Sequence, residues 1–118
     1  MMEKKGAEMD RQIVLQIDAE TRSVVDRIVK YRRPKRVILF GSRGRGNARE
    51  DSDVDLCVLY ERLGKQNVDV MEELYLDLFG HMPHPVDLVV YEEASFIDRS
   101  RRPNSFESII DAEGVTVY

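Results

Sequence analysis

Apolar residues recur along this chain with two different periods, and the two alternate. Thr21, Val24, Val25 and Ile28 fall at helical spacing, with Asp18 ahead of them as an N-cap. Val37-Ile38-Leu39-Phe40 is a short apolar run that predicts a buried strand, and Gly41-Ser-Arg-Gly-Arg-Gly46 after it predicts a glycine-rich turn. Residues 53–60 predict a second strand. Met71, Leu74, Tyr75, Leu78 and Phe79 recur at i, i+3, i+4, i+7 and i+8 of a helix that Asn67 opens and Gly80 closes.

The pattern continues with a turn at His81–Pro85 and a third strand over 86–91. A helical start over 95–103 is interrupted by Arg99, Arg101, Arg102 and Pro103. Asn104 and Glu107 have capping-box spacing and open a last helix through Phe106, Ile109 and Ile110, closed by Gly114. Val115 to Tyr118 predicts a short edge strand. Tyr75, Phe79, Phe96 and Phe106 sit at helical spacings that suit a core. The alternation implies an α+β fold, an α/β two-layer domain. Its expected extent is one domain over 11–118 behind a flexible N-terminus over 1–10, with 11–17 ambiguous between helix and strand. The strand order is not set by this pattern.

Length and composition narrow the picture. The 118 residues suit a single domain with its own core. The lone Cys57 excludes an internal disulfide framework, and a zinc site would need more Cys and His than this. No stretch approaches the ~20 apolar residues of a membrane span. Residues 1–10 carry charges and no apolar h-region, so the expectation is a cytoplasmic protein away from membranes. A net charge of −4 argues against general nucleic-acid binding. Its distribution says more. Arg27, Lys30, Arg32, Arg33, Lys35, Arg36, Arg43, Arg45 and Arg49 follow one another with no acid between them, and Glu50, Asp51, Asp53 and Asp55 come next. Basic residues running into carboxylates suit a polyanion that arrives with divalent cations; a solvated face explains Arg32 to Arg36 equally well.

The chemistry sits in three places. Side chains two apart on a strand share a face, so Asp53, Asp55, Cys57 and Leu59 face one way and the apolar Val54, Leu56, Val58 and Tyr60 the other, toward a core. Two carboxylates that close repel and raise each other's pKa, and a divalent cation offsets this. Magnesium takes one or two carboxylates plus substrate phosphate oxygens. Asp87 is the acid inside the third strand. Were that strand beside the second, three carboxylates could bridge two metals and stabilise both oxygens of an in-line displacement at phosphorus. Between the strands, Gly41 and Ser42, with Gly44 and Gly46, let the backbone approach a ligand and offer N–H groups and a hydroxyl to phosphate. The Gly-Lys-Ser/Thr ending of a P-loop is absent, and so is dinucleotide-fingerprint spacing.

Gly41-Ser42, ten intervening residues and Asp53-Val54-Asp55, with Val86-Asp87-Leu88 further on, resemble the signature of the DNA polymerase β nucleotidyltransferase superfamily. The closest resemblance is to its minimal nucleotidyltransferases, and it spans 18–118. It implies a polymerase β-like palm fold, a small mixed sheet with helices packed on one face. It implies that Asp53, Asp55 and Asp87 are the catalytic and metal-holding residues for two Mg2+ ions, with Mn2+ as a substitute, and that Asp87 helps deprotonate the acceptor. Gly41 and Ser42 would hold the triphosphate. Arg43 and Arg45 resemble the family's turn arginines, as nucleotide contacts or as exposed loop residues. Gly44 stands where alanine is common and is expected to loosen the turn.

The implied reaction moves a nucleoside monophosphate, AMP from ATP being favoured, onto a hydroxyl and releases pyrophosphate. Larger relatives carry a second domain for the acceptor, for which this chain has no room. Many minimal members act as antitoxins that modify a HEPN-type helical toxin partner, so the implied acceptor is a partner protein. The alternative is a nucleotide- or toxin-binding module that neutralises its partner by contact. Self-association into a homo-oligomer stays open.

Overall fold

The computed structural model describes residues 17–49 and 51–118. The expected flexible N-terminus and the ambiguous run up to residue 16 lie outside the described residues. In chain order the elements are α1 (Ala19–Tyr31), β1 (Arg36–Phe40), α2 (Gly41–Arg45), β2 (Val54–Tyr60), α3 (Asn67–Leu78), β3 (Val86–Glu92), α4 (Glu93–Ser100), α5 (Phe106–Glu113) and β4 (Val115–Thr116). The strands form one sheet in the order β3-β2-β1-β4. β1 pairs antiparallel with β2 and β4, while β2 and β3 run parallel, so the sheet is mixed. No helix among the described residues is long and apolar enough to cross a membrane.

Local chemistry explains most boundaries. Asp18 caps α1 by accepting the Thr21 backbone N–H at 2.7 Å, a bond of a kind that stabilises a helix by about 1 kcal/mol. α3 differs from the expected pattern. Gln66 occupies the N-cap without a side-chain bond, and the Asn67 amide donates to the Val90 carbonyl oxygen at 3.3 Å. The buried stripe is Val70, Leu74 and Leu78. Phe79 lies past the last turn and is 80% exposed, because the chain leaves the helix there and Gly80 turns it at φ +81°. The Asn104–Glu107 capping box does not form. Asn104 is itself a turn residue at φ +61°, so the helix starts one residue later, where Ser105 Oγ accepts the Ser108 N–H at 3.0 Å.

The two faces of the sheet carry separate cores. Val37, Leu39, Val54, Leu56, Val58 and Tyr60 pack under α1 and α3, which add Val24, Val25, Ile28, Val70, Leu74 and Leu78. Each such side chain contributes roughly 1.5–3 kcal/mol on full burial. Ile38, Cys57 and Leu59 on the opposite face meet Phe96 of α4 and Ile110 of α5 in a smaller cluster. Cys57 is a packing residue there, and burial pushes its thiol up to about 12. α3 also shields the outer edge of β3. The Leu88 N–H donates to the Tyr75 hydroxyl at 2.8 Å, and the Asn67 amide engages Val90. Both bonds take groups that an open edge would offer to another strand.

Candidate active site

The antiparallel turn-back from β1 to β2, with β3 parallel beside it, brings the end of one strand next to the starts of two others. The register makes Phe40, Asp55 and Asp87 neighbours in one row. Same-face side chains of directly opposed strand residues stand about 5 Å apart at Cβ. Asp87 therefore joins Asp55, as the sequence predicts if the two strands are adjacent. Asp53 lies one residue before β2, exposed, and its charge still reaches Asp55.

Asp55 is the half-buried member; Asp87 is exposed. Burial, then the charge and hydrogen-bonding proximity of Asp87, then the charge of Asp53, hold the Asp55 carboxyl above its usual range. The Arg45 cation opposes this weakly. The donors are carboxylates, hard oxygen ligands of the type magnesium takes, and their unbalanced repulsion is what a divalent cation would relieve. Among the described residues no three such side chains converge into a finished metal cage.

The segment expected to be a loose turn is a short helix, α2, closed by Gly46 in the left-handed conformation. Gly41 is required twice over. Its φ is +68°, and a Cβ there would lie 2.1 Å from Asp55 Oδ2. The carboxylate thus rests directly on the backbone where α2 begins. Gly44 does not loosen the turn as expected. A Cβ at this position would sit 2.6 Å from the Leu39 carbonyl oxygen, so its bareness lets α2 pack tightly onto the end of β1.

The two arginines of the turn part company. Arg43 points inward, its side chain only 9% exposed, and pairs with Asp18 at 2.8 Å. It also donates to the Ser52 carbonyl oxygen through Nε at 3.1 Å and Nη2 at 2.7 Å. Ser52 Oγ in turn accepts the Arg49 N–H. This clamp ties the start of α1, the turn and the loop before β2 into one piece. Burial alone would raise the Asp18 carboxyl, but its hydrogen bonds from Thr21 and the Arg43 charge outweigh that and hold it below the usual value. Arg45 stays outside, 3.6 Å from Glu113.

A cleft of about 800 Å³ opens behind the turn, with Asp18, Thr21, Arg43, Gly44, Arg49 and His84 in its wall and none of the three carboxylates. The acids instead occupy the open half of the opposite sheet face, so the chemistry and this cleft are distinct places. The local pattern did not reveal the second core that closes the other half of the acid face. Cys57 and Leu59, apolar on the same face as Asp55, were the signal for it. Nor did it reveal the Arg43 clamp, whose partners lie in two other segments, or the Tyr91 hydroxyl's bond to Glu107 at 2.7 Å.

A sequence model of the family described as polymerase beta, nucleotidyltransferase matches residues 22–102, more than half of the chain. No curated protein sequence matches it. The matched span takes in Gly41, Ser42, Asp53, Asp55 and Asp87 and stops before α5.

Proposed function

The chain belongs to the polymerase β nucleotidyltransferase family, and from that membership we propose that it transfers AMP from ATP, with Mg2+, to a hydroxyl on a partner protein, as an antitoxin modifying a helical toxin. The observation that carries this reading is Asp55 set opposite Asp87 in register, with Asp53 alongside and Gly41 against the Asp55 carboxylate. Members of this family generally use divalent metals. Bound here, two ions would neutralise the triphosphate and stabilise the entering and leaving oxygens.

In this reading Asp53 and Asp55 hold the ions, Asp87 completing the set. Gly41 and Ser42 present backbone N–H groups and a hydroxyl to the phosphates. Asp87, exposed at the strand mouth, accepts the acceptor's proton. The freed oxygen attacks the α-phosphorus, a new P–O bond forms, and the α–β bridging bond breaks so that pyrophosphate leaves with the electron pair. Arg43 acts as a positioning residue because its guanidinium is engaged with Asp18 and Ser52. Arg45, outside, is the turn arginine that faces solvent near the acids.

The test incubates the protein with Mg2+, ATP labelled at the α-phosphate, cell lysate and the product of any adjacent gene. γ-Labelled ATP and Asp53→Ala serve as controls. Label on a protein from α-ATP alone, lost in Asp53→Ala, is the expected result. Magnesium-dependent ATP binding with no label on any acceptor moves the reading to a module that neutralises a partner by contact.

A further inference from the structure

The acid face carries an apolar feature that its small core leaves partly open. Phe40, the last residue of β1, is the register partner of Asp55. Its ring meets the Phe106 ring edge-on, centroids 5.8 Å apart and planes at 81°. Phe106 is nevertheless 49% exposed, as is Ile109 one turn further along α5. The small core of this face closes over Ile38, Cys57 and Leu59 through Phe96 and Ile110, with neither Phe106 nor Ile109 among its buried residues. The position of Phe106 is fixed from both sides. Ser105 Oγ caps α5 and donates to the Arg99 carbonyl oxygen at 2.9 Å, and Glu107 is held by Tyr91. The result is an aromatic ledge that starts beside the Asp55 carboxylate and stays half open to water.

We propose that Phe40 and Phe106 form the ledge on which the planar base of the nucleotide stacks, and so set how tightly a nucleotide binds relative to its bare triphosphate. The inference rests on the nucleotidyltransferase reading above. A triphosphate held at Gly41 and Ser42, with its ions at Asp55, leaves its base one ribose away, on the same sheet face. Phe40 is the neighbour of Asp55 in that row, and Phe106 extends its surface outward. An aromatic side chain accepts any base face, so the ledge would contribute affinity with little base discrimination. Phe40 lies within the residues the family model matches and Phe106 and Ile109 beyond them, so α5 supplies only the outer part of the ledge.

Titration calorimetry on the whole protein with saturating Mg2+ tests this with two probes, ATP and inorganic tripolyphosphate. The unmodified protein is expected to bind ATP more tightly. Phe106→Ala should weaken ATP about 10-fold, the range found for base stacking on an aromatic side chain, and leave tripolyphosphate unchanged. Phe106→Leu, which keeps apolar bulk without a ring, should lose affinity likewise, and Phe106→Tyr should restore it. Unchanged tripolyphosphate binding also shows that each variant is folded. An ATP-to-tripolyphosphate preference that survives Phe106→Ala overturns the ledge and leaves the reaction standing. Failure of the unmodified protein to bind either probe overturns both.

Discussion

On one face of the sheet, Val54, Leu56, Val58 and Tyr60 of β2 are closed over from end to end by α1 and α3. On the other, the same strand presents Asp55, Cys57 and Leu59, and only the last two are covered, by α4 and α5. One strand therefore serves stability along one side and along the inner half of the other. It leaves a cluster of carboxylates at its mouth that only Arg45 weakly offsets. The first region lowers the free energy of the folded chain by removing apolar surface from water. The second raises it, since like charges are held together beside a half-buried carboxyl. Such strain persists only because the packed face holds the strand in place.

The two faces differ most at Asp55. Asp55→Asn should cut nucleotidyl transfer about 10³-fold, the scale of losing a key electrostatic group in an active site. The same change should raise the melting temperature of the metal-free protein by a few degrees, roughly 1 kcal/mol of relief. A drop in melting temperature would mean that the carboxylate supports the fold. On the packed face the signs reverse. Leu74→Ala empties a fully buried position and should lose about 3 kcal/mol in urea unfolding, with transfer per folded molecule unchanged.

The glycines sharpen the boundary between the regions. Gly41→Ala and Gly46→Ala both force a residue into positive φ, at about 1–2 kcal/mol each. Only at position 41 does the new methyl meet the Asp55 carboxylate; at 46 there is open space. Magnesium-induced thermal stabilisation should therefore fall in Gly41→Ala and persist in Gly46→Ala.

The smallest effect is in pH. The Asp55 carboxyl is raised in the folded state above its ordinary 3.8, so the folded form binds the proton more strongly than the unfolded one. At this group the metal-free protein loses stability as pH climbs past 3.8 toward the raised value, and the loss is complete above it. A metal competes with that proton. The gain in melting temperature on adding Mg2+ should thus fade on acidification at a higher pH than an ordinary aspartate would set. In the metal-free protein Asp87→Asn, which removes the nearest like charge, should bring the Asp55 carboxyl back toward its ordinary range and so narrow the pH window over which stability is lost.

Much of this was legible along the chain because it is local. Helical spacing located α1 and α3, and a two-residue period put Asp55 on a different face from Val54 and Leu56. Gly41-Ser42 and Asp53-x-Asp55 stand out as a candidate site before any strand is paired. Where local reading slipped, a neighbour from elsewhere had the stronger interaction. Asn67 left its capping role for the Val90 carbonyl, Glu107 left Asn104 for Tyr91, and Arg43 turned inward to Asp18 and Ser52. Phe106, expected in the core, remained half exposed because Ile110 had already filled that place.

Spacing by itself determined which residues could share a face and which turn could approach a ligand, since both follow from backbone periods and from glycine's lack of a Cβ. Tertiary structure decided that β3 lies parallel to β2 and pairs Asp87 with Asp55. A slip of one residue would have turned Asp87 into the opposite core. That choice depends on pairing β3 with β2 across the whole of α3 and on burying Val86, Leu88 and Val90 in the core that α1 and α3 share, a requirement that no short window of sequence contains.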